Sequence, residues 1–335
     1  MNAWKLTNPN RLGKATEEIP APAEGEVKVR VTQVLFSNID AALYSGALKA
    51  PYPLVPGRFA VGRISSGEEL LGAKKNDRVL LHTFLPERDT GVAKKDFSAD
   101  EYGICGQTVN GYLRDFVCLD AESVSLLPEA VKDECALLTE LVALAKQTID
   151  VLDVQKGQHI AVFGGDTLGV VLCQLLIYQQ AAPILIDNRT DRLNFAKKCG
   201  IYYTSPADDT LVDNVAKITG GRLADGAIFV TSAGPQNTAL PFKVSARNTN
   251  TVYSGFFGRD ITVDLNVALK KGISVHGVTG GTDCIPAAIN LIATKALDFS
   301  LFEFHRFDAN SVAEVLSSLS TNDADSRVLH IAELI

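Results

Sequence analysis

Along the first third of the chain, apolar residues recur at every second position. Glu26-Val27-Lys28-Val29-Arg30-Val31 alternates cleanly and runs on into Val34-Leu35-Phe36. That period belongs to a strand with one face in a core. Phe59–Ile64, Asp77–Leu81 and Gly111–Leu119 are further strand candidates. Pro51, Pro53, Pro56, Gly57 and Gly62 punctuate the intervals. Short strands at this spacing predict a small β-barrel over residues 1–130. Leu85–Gln107 is polar and charged and reads as a long surface loop.

The period then changes. Leu138, Leu141, Val142, Ala145, Ile149 and Leu152 fall at helical spacing, which predicts a helix over Ala136–Leu152. From His159 to about Thr282, strands alternate with helices. The strands are expected at Ile160–Phe163, Ile184–Asp187, Gly226–Thr231, Thr251–Ser254 and Ile273–Val278. The helices are expected near Gly169–Gln179, Asp191–Cys199 and Thr210–Thr219. This alternation predicts an α/β fold, a doubly wound parallel sheet covered on both faces. A helix over Pro286–Ala296 and a last strand, Val328–Ala332, follow; the strand returns to the first domain. The expected divisions are 1–145, 146–283 and a C-terminal return, 284–335.

One stretch carries candidate chemistry. At Gly164-Gly165-Asp166-Thr167-Leu168-Gly169 an apolar run meets a glycine cluster that opens a buried helix. A second apolar run, Ala182–Ile186, then ends in Asp187. Strand, tight turn, helix, strand and acid form the first half of a dinucleotide-binding unit. Gly164, Gly165, Thr167, Leu168 and Gly169 would bring N–H groups and a positive dipole end to a pyrophosphate. Asp187 would accept from an adenosine ribose. Arg189 offers a 2′-phosphate contact, but Asp187 would repel that phosphate, so NAD is expected over NADP. The fingerprint G-x-G-x-x-G needs glycine at 166, and Asp stands there. A carboxylate about 5 Å from a phosphate charge costs roughly 3 kcal/mol at an effective dielectric of ~20. The bland reading is a nucleotide fold that has lost its nucleotide.

Composition narrows the classes. The chain has 335 residues, 46% hydrophobic and 21% charged, which describes an ordinary globular protein. A net charge of −7 without basic clusters excludes nonspecific nucleic-acid binding. No apolar run approaches the ~20 residues that span a bilayer. Six scattered cysteines, without C-x-x-C spacing, read as reduced thiols of a cytoplasmic protein.

Barrel first, Rossmann unit second and a short return resemble the medium-chain dehydrogenase/reductase superfamily, to which zinc alcohol and polyol dehydrogenases belong. The carriers are Pro56-Gly57, Asn76-Asp77-Arg78-Val79, Gly111–Val117, Thr139-Glu140-Leu141-Val142, the glycine turn and His305-Arg306-Phe307. The resemblance implies a GroES-like first domain, a nicotinamide cofactor and a homodimer paired through a late strand, Ile273–Val278. It also locates the catalytic zinc positions. The ligand Cys of Cys-Gly-Thr-Asp falls at Ser37 of Ser37-Asn38-Ile39-Asp40, and the proton-relaying Thr at Ile39. The ligand His of Gly-His-Glu falls at Arg58 of Gly57-Arg58-Phe59. The polyol branch's carboxylate ligand is kept as Glu140. Only Cys105 stands in the loop where structural zinc would need four cysteines. No zinc is therefore expected, and an Arg58–Glu140 ion pair is expected in its place.

Candidate catalytic residues are Arg58, Glu140, Ser37 and His82. His82 follows a strand and could act as acid or base, or serve as a core histidine. Tyr44 and Tyr52 could give a proton or line the site, and Lys146 could face the cofactor or solvent. Thr231-Ser232-Ala233-Gly234 and Gly255-Phe256-Phe257-Gly258 could hold ligand at strand ends or be plain turns. Two functions stay open. One is a zinc-independent oxidoreductase moving hydride between NAD(H) and a small alcohol, polyol or carbonyl compound. The other is a catalytically silent relative that binds a metabolite or protein partner.

Overall fold

A computed structural model describes residues 1–86, 102–231, 238–255, 262–320 and 327–334. The chain opens with a hairpin, β1 (Asn2–Asn8) and β2 (Arg11–Thr16), turned at Asn10 with φ 60°. The alternating segment forms β3 (Glu26–Phe36), and Val27, Val29, Val31 and Val34 are buried as its period requires. Then come α1 (Asn38–Ser45), β4 (Phe59–Ser66), β5 (Arg78–Leu81), β6 (Phe84–Pro86) and β7 (Tyr102–Ile104). β8 (Phe116–Asp120), β9 (Val124–Leu126) and α2 (Asp133–Ala136) close this part.

α3 (Thr139–Leu152) leads into the alternating region. There follow β10 (His159–Phe163), α4 (Thr167–Tyr178), β11 (Ala182–Asp187), α5 (Thr190–Lys198), β12 (Tyr203–Pro206) and α6 (Leu211–Ile218). β13 (Ala224–Val230), α7 (Leu240–Val244), β14 (Ser245–Ser254), α8 (Asn266–Lys271), β15 (Ser274–Val278) and α9 (Ile285–Ala293) complete it. The end is β16 (Glu303–Asp308), α10 (Val312–Leu319) and β17 (Val328–Glu333).

These elements divide into two compact units, Met1–Leu138 with Phe304–Ile335, and Thr139–Glu303. The seams thus fall at Leu138/Thr139 and Glu303/Phe304, where the sequence reading drew them at 145/146 and 283/284.

In the first unit the sheet order is β16-β17-β3-β4-β5-β9, with β8 also on β3. β3 is long enough to serve two antiparallel partners on one edge. Glu26–Arg30 pairs β8, and Gln33–Phe36 pairs β17. The expected return of the C-terminal strand is therefore a direct pairing, His330 opposite Phe36. Among the described residues this path runs from β16 to β9. The expected strand Gly111–Leu119 forms only from Phe116. Gly111, Tyr112 and Leu113 instead donate to the Val55, Gly57 and Pro56 carbonyls at 2.7–3.1 Å. A Cβ on Gly111 would overlap the Gly57 carbonyl oxygen, so the two loops meet backbone to backbone.

The second unit carries the parallel sheet β12-β11-β10-β13-β14-β15. Neighbours are all parallel, in the order of a doubly wound nucleotide fold. One face packs Phe163, Phe229, Val244 and Val215 into a core. α3 is buried nearly all round, which explains its apolar sequence. No helix among the described residues is long and apolar enough to cross a membrane.

Candidate active site

The glycine turn follows β10. Gly164 takes φ 111°, a left-handed value that favours glycine. A Cβ on Gly169 would overlap the Gly164 carbonyl oxygen, so only glycine lets α4 start this close to the strand. Leu168 is buried beneath the helix start. Asp166 is the N-cap of α4, and its Oδ1 accepts from the Gly169 N–H at 3.1 Å. The residue that breaks the fingerprint is thus a good cap. It also puts a carboxylate at the helix end that a pyrophosphate would use.

Asp187, at the end of β11, is 1% exposed. Its Oδ2 accepts from the Gly165 N–H at 2.6 Å and from Arg192 Nη1 at 3.3 Å. Its Oδ1 accepts from the Arg189 N–H at 2.8 Å. The acid ties the glycine turn to the start of α5. Arg189 turns its guanidinium onto Asp191 in a bidentate pair, 3.1 and 2.7 Å, and holds that carboxyl below its usual range. Arg192 escaped the sequence reading. Its signal was its place five residues after the strand-end acid, within the first turns of the next helix.

These observations test the fit of a dinucleotide. The Gly164–Gly169 turn and the strand-end acid have the shape the group needs. Asp166 opposes its charge, and Asp187 already spends both oxygens on the protein.

At the positions of the family's zinc ligands, the donor set does not fit the metal. Ser37 caps α1, and its N–H and hydroxyl donate to Asp40 Oδ2 at 2.9 and 2.8 Å. Arg58 is fully buried at the start of β4. Its Nη2 donates to Gln107 Oε1 at 3.2 Å, and its carbonyl accepts from Thr83 Oγ1 at 3.1 Å. A guanidinium has no lone pair to give a metal. Glu140, 1% exposed, sits in the first turn of α3, where the helix dipole favours a carboxylate. Arg58 belongs to the first unit and Glu140 to the second. Gln107, a hydrogen-bond partner of Arg58, carried no sequence signal.

His82 is 6% exposed, and its Nε2 lies 2.8 Å from Ser125 Oγ. Its carbonyl accepts from the Tyr112 hydroxyl. Burial pushes the imidazole down to about 4, so it is neutral at pH 7. The unfolded chain binds this proton below about 6.5, the folded chain only below about 4. Between those values the unfolded state holds more protons, so stability is full above pH 6.5 and falls as pH drops toward 4. The loss is about 3 kcal/mol at 1.36 kcal/mol per pH unit. Urea unfolding at pH 7 and pH 4.5 should show a smaller acid loss in His82→Gln than in the unsubstituted protein.

The Tyr52 hydroxyl donates a hydrogen bond to the Leu43 carbonyl at 2.9 Å, and Tyr44 is buried in the first unit's core. Lys146 pairs with Asp150 one turn along α3. Of the two strand-end segments, Ser232–Gly234 and Phe256–Gly258 lie outside the described residues, as does most of the Leu85–Gln107 loop. A Cβ on Gly255 would overlap Thr231 Oγ1, so β13 and β14 approach closely at their carboxyl ends.

Two family matches cover most of this framework. The alcohol dehydrogenase GroES-like domain matches residues 23–129, and the zinc-binding dehydrogenase family matches residues 167–294. A zinc-type alcohol dehydrogenase-like protein of Haemophilus influenzae is 22% identical over 313 residues, 88% of each chain. A short chain alcohol dehydrogenase (rspB) from Escherichia coli CFT073, solved with NADH, is similar with a TM-score of 0.85 at 21% identity. That likeness covers 100% of this chain and 99% of the other. The 2R,3R-butanediol dehydrogenase from Bacillus subtilis matches with a TM-score of 0.84 at 20% identity, covering 100% and 99%. Fold, order of units and both family matches agree: the chain belongs to the medium-chain dehydrogenase/reductase superfamily.

Proposed function

We propose that the chain is a zinc-independent medium-chain oxidoreductase acting on a small alcohol, polyol or carbonyl compound with NAD(H). The observation that carries this is the Gly164–Gly169 turn, whose φ 111° and close Gly164–Gly169 packing have the shape a dinucleotide needs. Relatives named as alcohol dehydrogenases support the reaction class. The cofactor, when bound, gives or takes the hydride. The turn's N–H groups would bind its pyrophosphate, and Asp187 would set the ribose side of the site against a 2′-phosphate. Arg58 would supply, beside the developing alkoxide, the positive charge that zinc supplies in relatives.

A second reading, the silent relative, is favoured by Asp166 at the pyrophosphate position and by the bonded state of Asp187. Calorimetry of the purified protein separates the two. The enzyme reading expects saturable NADH binding tighter than NADPH binding, and under about a tenth of an equivalent of zinc after dialysis against a chelator. No binding of either nucleotide would leave only the silent relative. Stoichiometric, chelator-resistant zinc would remove the zinc-free mechanism.

The assembly proposed with this function is a homodimer. β15 is the edge of the parallel sheet, and Val275 on it and Leu269 before it are exposed at 42% and 78%. An unprotected apolar edge pairs readily with a second copy. Light scattering at micromolar concentration should give twice the chain mass of 35.9 kDa; a monomer would reject the dimer.

A further inference from the structure

We propose that His305 and His330 form a two-imidazole binding site for a divalent transition ion of the zinc class. The chain has five histidines, and two of them meet here. Their Nδ1 atoms lie 3.3 Å apart. Two metal–nitrogen bonds of about 2.0–2.1 Å, opened at a tetrahedral angle, put the nitrogens about 3.3–3.4 Å apart. As a lone N–H···N hydrogen bond the same separation is long. The rings stand at 84° with centroids 5.4 Å apart, so both can face one ion without stacking.

Both side chains are held in place before any ion arrives. His330 lies on β17 opposite Phe36 of β3. Phe36 and Phe307 are in ring contact at 6.4 Å. Phe307 stacks on His305 at 5.9 Å and 25°. Three ring contacts thus run in series from Phe36 through Phe307 and His305 to His330 within the first unit. Arg306, beside His305, is bonded to Glu134 and Glu333 at 3.0 Å each, so its positive charge is neutralised. His305 is exposed and His330 half-buried, which leaves a way in from solvent. Among the described residues no third His, Cys, Asp or Glu joins the pair. Water would complete the coordination, and the ion would exchange. Such a site differs from the positions of Ser37 and Arg58 in ligands and in place.

The test uses the full chain stripped with a chelator. Zn²⁺ alone, titrated by calorimetry, should bind at one equivalent through this pair. His305→Ala and His330→Ala should each weaken that binding at least about tenfold, with the circular dichroism spectrum unchanged. Co²⁺ should give weak ligand-field bands without a thiolate charge-transfer band. No saturable Zn²⁺ uptake would overturn the proposal. So would uptake that survives both substitutions, or a thiolate band, which would put the ion on a cysteine.

Discussion

Replacing Asp166 with glycine should tighten NADH binding roughly a hundredfold. The carboxylate caps α4 at the Gly169 N–H, where a pyrophosphate would sit. A unit charge about 5 Å from a phosphate charge costs ~3 kcal/mol at an effective dielectric of ~20, and salt screening trims that. Each 1.4 kcal/mol is about tenfold in affinity. Stability should change little, because glycine is itself a fair N-cap and the exchange costs only about a few tenths of a kcal/mol. Asp166→Asn separates the two causes. It keeps a capping oxygen and removes the charge, so it should recover much of the gain if repulsion dominates. Equal affinity in all three proteins, read by calorimetry at low and high salt, would show that Asp166 turns away from the nucleotide.

Arg58→Met should cost about 1–3 kcal/mol of stability, because it removes the hydrogen bond to Gln107 Oε1 and strands the buried amide. The side chain is fully buried, so its loss uncovers groups that water cannot reach. Glu140→Gln should cost a comparable amount, since that carboxylate is 1% exposed. Arg58→Lys should restore only part of the loss, because an ammonium lacks the planar guanidinium fork. Unchanged stability of Arg58→Met in urea unfolding would overturn this expectation.

Much of the fold was legible because burial leaves a period. β3 alternates and α4 is unbroken in its apolarity, and both appear where the pattern puts them. The hairpin β1–β2 was not legible, since β2 shows no buried residue and so no alternation to read. α10 was missed although Val312 and Leu316 stand one turn apart and are buried; their signal was there. Gly111–Leu113 reads as strand because it leads into the alternating run to Leu119, but its hydrogen bonds go to a loop, which no period encodes. The candidate site divides the same way. The glycine turn and Asp187 are local in sequence. Arg192 on Asp187 and Gln107 on Arg58 depend on tertiary placement.

The pairing of β17 with β3 sets an order of events during synthesis. Phe36 must wait for His330, about 300 residues later in the chain. At roughly 5–20 residues per second, that is on the order of 15–60 s on the ribosome. The second unit is continuous from Thr139 to Glu303. It can close while the sheet begun before it still shows an open edge along Gln33–Phe36. The middle of the chain is therefore expected to be complete before the sheet that brackets it in sequence.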